Sequence, residues 1–270
     1  MSDENLILYS GIIDAKILLN MAVDFCERVD DEIQLGYNLA EQQVGENDES
    51  RLNHMLNLLD ICITYNGTAI EYFYRGMGRV RFSFHIPEED RISVLENAIS
   101  DLTHSIELEN KGDNSFDTNH DFNRALLWRG VARVQFSYML DPYDGDSFRN
   151  TLEYAVQDFE KSQLLEELPG TTYEIIQTRF GLSDWVPENE VGEVLAPVEP
   201  LIESLIGIDC EDEHLVVYAE MMNDLAERIP EALSRLKMKS LEIYELIQEP
   251  EEDVKECIQN LRSEINELYQ

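Results

Sequence analysis

Apolar residues recur every three to four positions along almost all of this 270-residue chain, the period of a helix with one buried face. "LILYSGIIDAKILLNMAVDFCERV" and "DESRLNHMLNLLDICITY" open the series, the second with Asp48 or Ser50 as N-cap. Asn66-Gly67-Thr68 breaks it, and Thr68 caps "AIEYFYRGMGRVRFSF". "RISVLENAISDLTHSIELEN", "FNRALLWRGVARVQFSYML" and "SFRNTLEYAVQDFEKSQLLEEL" follow, with polar turns at "HIPEED", "KGDNSFDTNHD" and "DPYDGD". Pro169-Gly170 stops the last of them, and "TTYEIIQTRFGL" reads as a short helix. Residues 183–200 hold three prolines and read as an irregular joint. Three amphipathic helices close the chain, and Pro230 and Pro250 sit where first turns begin. No segment alternates as a strand does. The pattern predicts an all-α protein with three regions: 1–67, an N-terminal helical region that reads as a degenerate repeat; 68–182, a repeat core; and 183–270, an acidic helical region.

One phrase is written twice. "YRGMGRVRFSF" begins at Tyr74 and "WRGVARVQFSY" at Trp128, with six of eleven positions identical. The helix after each phrase also matches: Ala98 with Ala155, Asp101 with Asp158, Leu102 with Phe159, Ser105 with Ser162 and Leu108 with Leu165. Aromatic and small residues on one helix, with Ala-x-x-Asp-large on the next, resemble the tetratricopeptide repeat over about residues 68–166. The resemblance implies stacked antiparallel helical hairpins, an α-solenoid with a C-terminal helical extension. Gly76 and Gly130 then let paired helices approach closely. The chain departs from the family in spacing: glycine and alanine lie 22 and 25 residues apart here, against about a dozen in the standard unit.

The resemblance also implies a peptide groove lined by the first helix of each hairpin, at Phe73, Met77 and Arg81, then Leu127, Val131 and Gln135. Only Arg81 fits the family's carboxylate-clamping pattern, so an apolar peptide or a partner's helix is the better match. Arg75 and Arg79, like Arg129 and Arg133, share a helix face. They form either a basic strip for a phosphate or acidic peptide, or buried pairs, Arg75 with Asp101 and Arg129 with Asp158. The joint repetition of arginine and aspartate favours the pairs.

Charge narrows the partners. The chain carries 56 acids and 20 bases, net −36, and half the bases lie in residues 71–170. Such a body repels nucleic acid and attracts basic proteins. No apolar run spans a membrane. The acidic start lacks a secretory pattern, and four scattered cysteines suit reduced thiols, which together predict a cytoplasmic protein. No phosphate loop, nucleophile elbow or metal-ligand pattern is present; Cys210 and His214, four apart, are too few for zinc. The expectation is a non-enzymatic scaffold or adaptor, without cofactor, that binds a protein partner. That partner is basic or presents an apolar helix or peptide. The alternative is an acidic mimic of nucleic acid that occludes a basic protein surface.

Overall fold

The computed structural model describes residues 53, 56–57, 59–64, 67–113, 115–116, 119–140, 144–166, 168–208, 211–248 and 250–269. The helix ends expected at Asp48 or Ser50, and the N-terminal region before residue 53, lie outside them. Residues 59–64 are helical. Then come α1 (Ala69–Ser83), α2 (Glu88–Asn110), α3 (Asn119–Ser137), α4 (Gly145–Leu165), α5 (Pro169–Ser183), α6 (Glu188–Leu195), α7 (Val198–Ile208), α8 (Asp212–Arg228), a 3₁₀ turn (Pro230–Ala232), α9 (Leu233–Tyr244) and α10 (Glu252–Leu268). Among the described residues there is no strand. The prolines of residues 183–200 do not leave an irregular joint. Pro187 stands just before α6, and α7 begins at Val198, so the prolines sit at helix starts, where a missing N–H costs no ladder bond.

The helix ends follow local chemistry. The Thr68 backbone N–H donates to Glu71 Oε2 at 3.0 Å, half of a capping box at the start of α1. Glu88, Glu89 and Asp90 crowd the first turn of α2, where the helix dipole favours them. Gly112, at φ 88°, ends α2 in the left-handed region. Asp144 caps α4 by accepting from Ser147 N at 3.2 Å, and hydrogen bonding from the Ser147 hydroxyl and then its backbone N–H holds the carboxyl below the usual range.

The chain divides into two compact units, between Thr178 and Arg179, a cut that falls inside α5. In the first, α1 packs on α2 and α3 on α4; α3 also packs on α2 and touches α1. Both glycines of the repeated phrase sit where no Cβ fits. One built on Gly76 falls 2.6 Å from Leu102 Cγ, and one on Gly130 falls 2.4 Å from the Phe159 ring. The core is filled from matching positions, Ala98 and Leu102 in one hairpin, Ala155 and Phe159 in the other, all at 0% exposure. Ser105 donates to Ala69 O at 2.6 Å, and Ser162, its counterpart, donates to the Asn123 side chain.

In the second unit, α7, α8, α9 and α10 pack in succession. The bases of α9 stitch it together. Arg235 and Lys239 pair with Glu199, Lys239 also pairs with Glu203, and buried Lys237 pairs with Glu264 and, at 3.4 Å, Glu227.

Candidate binding surfaces and the arginine clamps

The repeated phrase builds one device twice. Arg75 donates Nε to Asp101 Oδ2 at 2.9 Å and Nη2 to Oδ1 at 2.6 Å, while Arg79 closes on the same Oδ2. In the second hairpin Arg129 donates Nε to Asp158 Oδ2 at 2.8 Å and Nη2 to Oδ1 at 2.6 Å, and Arg133 again takes Oδ2. Each aspartate is buried, with side chains 6% and 1% exposed, and each is gripped by two guanidinium groups. The planar fork of arginine makes the first contact bidentate. The structure thus brings together Arg75 with Asp101 and Arg129 with Asp158. It adds Arg79 and Arg133 as second arms that the pair reading did not include. Burial, with the neighbouring arginine adding to it, holds Arg79 and Arg133 below the usual guanidinium range despite the aspartate.

Each clamp also reaches the helix before its own hairpin, and here the two differ. Arg75 Nη1 donates to Asp60 Oδ1 at 2.8 Å. Arg129 Nη1 meets Thr103 Oγ1 at 3.3 Å. Rings flank both clamps, Tyr72 with Arg75 and Tyr154 with Arg133.

A third, weaker copy of the phrase lies in α5. Arg79 and Arg133 donate to the carbonyls of Asn97 (3.5 Å) and Tyr154 (3.1 Å), and Arg179 donates to Val194 O at 2.8 Å. Ser83, Ser137 and Ser183, each four residues on, turn back to the carbonyls of Val80, Val134 and Phe180 at 2.6–2.7 Å. "RVRFSFHIPEED" and "RFGLSDWVPENE" share Arg, Ser, Pro and Glu at the same spacing. The positions of Arg75 and Asp101 hold Ile175 and Val198 in this copy, and both are buried. That change explains why the phrase escapes a reading that looks for Arg-Gly and Ala-x-x-Asp. The signal that would have found it is the Arg-x-x-x-Ser-x-x-x-Pro-Glu spacing.

The six groove candidates separate. Phe73 and Met77 are fully buried, and Leu127 is buried as well, so their side chains belong to the core and are closed to a partner. The closely spaced helices that the glycines permit leave no apolar side chain of α1 standing clear at these positions. Val131 is half-buried against the core cluster. Arg81 lies with its guanidinium 5.2 Å from the centroid of Trp128, and Gln135 Oε1 lies 3.1 Å from Ser83 Oγ. These three are half-buried and side-chain accessible.

In the second unit a cleft of about 400 Å³ opens between α8, α9 and α10, lined by Glu220, Asp224 and Glu264, by Asn223, Asn260 and Tyr244, and by Cys257 and Leu261. Burial and the charges of Asp224 and Asp253 push the Glu220 carboxyl up. Burial and Glu227 push Asp224 up, against the pull of Arg228. Burial likewise raises Tyr244. Among the described residues no group of His, Cys, Asp and Glu could hold a metal ion; Cys210 lies outside them, and burial pushes the His214 imidazole down. No helix among them is long and apolar enough to cross a membrane.

No protein family matches the chain, and neither a curated protein nor a solved structure matches it.

Proposed function

We propose that the protein is a non-catalytic binding module of tetratricopeptide-repeat-like hairpins that captures a protein partner. The observation that carries this reading is the side-by-side placement of α1 and α3, each held to its own second helix by the same glycine contact and arginine clamp. A rigid pair of equivalent helices presents equivalent side chains at one spacing, which suits a peptide or a partner's helix. Arg81, Val131 and Gln135 are the contact residues on that face, since Phe73, Met77 and Leu127 are committed to the core. Arg81, held over the buried Trp128 ring, supplies a charged anchor of the type that concentrates binding energy. The net charge of −36 favours a basic partner and speeds its encounter more than it tightens the complex. Salt separates this reading from an acidic mimic of nucleic acid: the mimic's binding collapses as salt rises, while the share of this contact that Val131 contributes by burial persists.

The test is partner capture from the native source with wild type and with the pair Arg81→Glu and Val131→Glu. We expect the partner to be lost and the helical circular dichroism to be kept. Met77→Glu is unsuitable because it would charge a fully buried site. A partner that stays bound to the double variant, but leaves in high salt, would move the site to the acidic surface.

A further inference from the structure

The two clamps are equal in geometry but unequal in charge. In the first, two arginines face two carboxylates: Asp101, buried between the helices, and Asp60, 53% exposed on the solvent side of Arg75. In the second, two arginines face Asp158 alone among the described residues, and a threonine hydroxyl stands where Asp60 would. The second clamp's other contacts are those of Arg133 with the Tyr154 carbonyl and ring, and both are neutral. Glu107, one turn on from Thr103, is engaged by Lys111 at 3.3 Å. One positive charge is therefore left over at Arg129 and Arg133, whose side chains keep 11% and 18% exposure. Thr103 is half-buried, and its hydroxyl sits at the long end of hydrogen-bond distance from Nη1.

We propose that the second clamp is an oxyanion receptor: a carboxylate or phosphate group seats on Arg129 Nη1 beside Thr103, where Asp60 seats on Arg75. The first clamp supplies the pattern. It carries a carboxylate from outside the hairpin on the same guanidinium nitrogen, at 2.8 Å. A charge-assisted contact of that kind is stronger than the hydroxyl contact it replaces. Thr103 then serves as a second donor to the bound group, turning its hydroxyl outward. The receptor goes beyond the partner-binding face proposed above, and it holds whether or not Arg81, Val131 and Gln135 form that face. In a chain so acidic, binding depends on this local excess and weakens with added salt.

The experiment uses the full chain, labelled with ¹⁵N, and follows the arginine Nε–Hε signals. The probes are inorganic phosphate and N-acetylglutamic acid amide, each against sodium chloride at equal ionic strength. The expected result is a saturable shift of Arg129 and Arg133 that is absent in Thr103→Asp, where the variant's own carboxylate occupies the seat. The reciprocal variant, Asp60→Thr, gains the same response at Arg75. Response to phosphate alone identifies a phosphate group as the ligand, and response to the glutamate amide alone identifies a carboxylate. Thr103→Asp also raises Tm by about 2 °C or more as the seat fills. An Arg129 signal that ignores both probes, or moves equally in Thr103→Asp, overturns the proposal. A lower Tm for Thr103→Asp, with the probe response unchanged, does the same.

Discussion

Asp158 is the residue on which the second hairpin depends most. It is 1% exposed, and its two oxygens take three guanidinium contacts. Removing the charge leaves two partly buried arginines without a counter-ion. Breaking a buried pair in that way costs about 3–5 kcal/mol, so Asp158→Asn, which keeps one acceptor oxygen, should cost about 3 kcal/mol in urea unfolding. Arg129→Ala removes the bidentate partner but leaves Arg133 on the carboxylate, so its expected cost is about 2 kcal/mol, the smaller of the two. Asp101→Asn should cost less than Asp158→Asn, because Asp60 still neutralises Arg75. Asp60 is half exposed, so the difference should be no more than about 1 kcal/mol. Equal losses for the two aspartate variants would mean that Asp60 shares no load, and the two clamps would then be energetically alike. The ranking is read from the same unfolding curves.

At the scale of elements, the glycines decide how near the helices of a hairpin lie. A helix interior gains about 1 kcal/mol when glycine becomes alanine, so by propensity alone Gly130→Ala should stabilise α3. The 2.4 Å approach to the Phe159 ring reverses the sign. That ring is fully buried and cannot swing away, so the helices must part at a cost of about 1–3 kcal/mol. Phe159→Leu places in α4 the residue that α2 carries at Leu102, and should recover part of the loss in the double variant. Additive losses in a double-mutant cycle would sink this account. Such hairpins were legible in the sequence because they are written in repeats: Arg75 with Asp101 and Ala98 opposite Gly76 recur together, so chance is a poor explanation. The second arms, Arg79 and Arg133, share the face but announce no partner, since one aspartate serves two arginines only in three dimensions. Asp60 and Thr103 were illegible because each belongs to the helix before the hairpin it serves, and the repeat does not say which residue of that helix meets the arginine. Phe73, Met77 and Leu127 read as groove residues from register alone, but register does not say which side of a helix its neighbours cover. The helices of residues 188–208 were hidden by prolines that mark helix starts as often as helix ends.

At the scale of the whole molecule, 36 excess negative charges repel one another, and folding concentrates them. In the second unit Arg228, Arg235, Lys237, Lys239, Lys255 and Arg262 are each paired with a carboxylate, so no spare cation among them offsets the remainder. Carboxylates whose burial outweighs any neighbouring cation titrate upward. Glu220 and Asp224 do so at the cleft, and burial alone pushes Glu174 in α5 from 4.5 to about 7. The sign follows from linkage. The folded state holds the Glu174 proton more tightly than the unfolded chain, so its contribution to stability is full below pH 4.5 and is lost as pH rises through about 7. Net charge acts in the same direction, because each proton taken up relieves repulsion. Tm should therefore fall between pH 5 and pH 7.5, and added salt should raise it at the upper end by screening. Glu174→Gln separates the local effect from the global one. The amide never ionises, so the variant should match wild type near pH 5 and exceed it at pH 7.5, with a shallower slope between. Thermal unfolding at fixed ionic strength checks this directly. If the two proteins run parallel across that range, Glu174 titrates at an ordinary pH and net charge alone carries the pH dependence. If the variant is less stable at both ends, the ionised carboxylate has a partner that stabilises it.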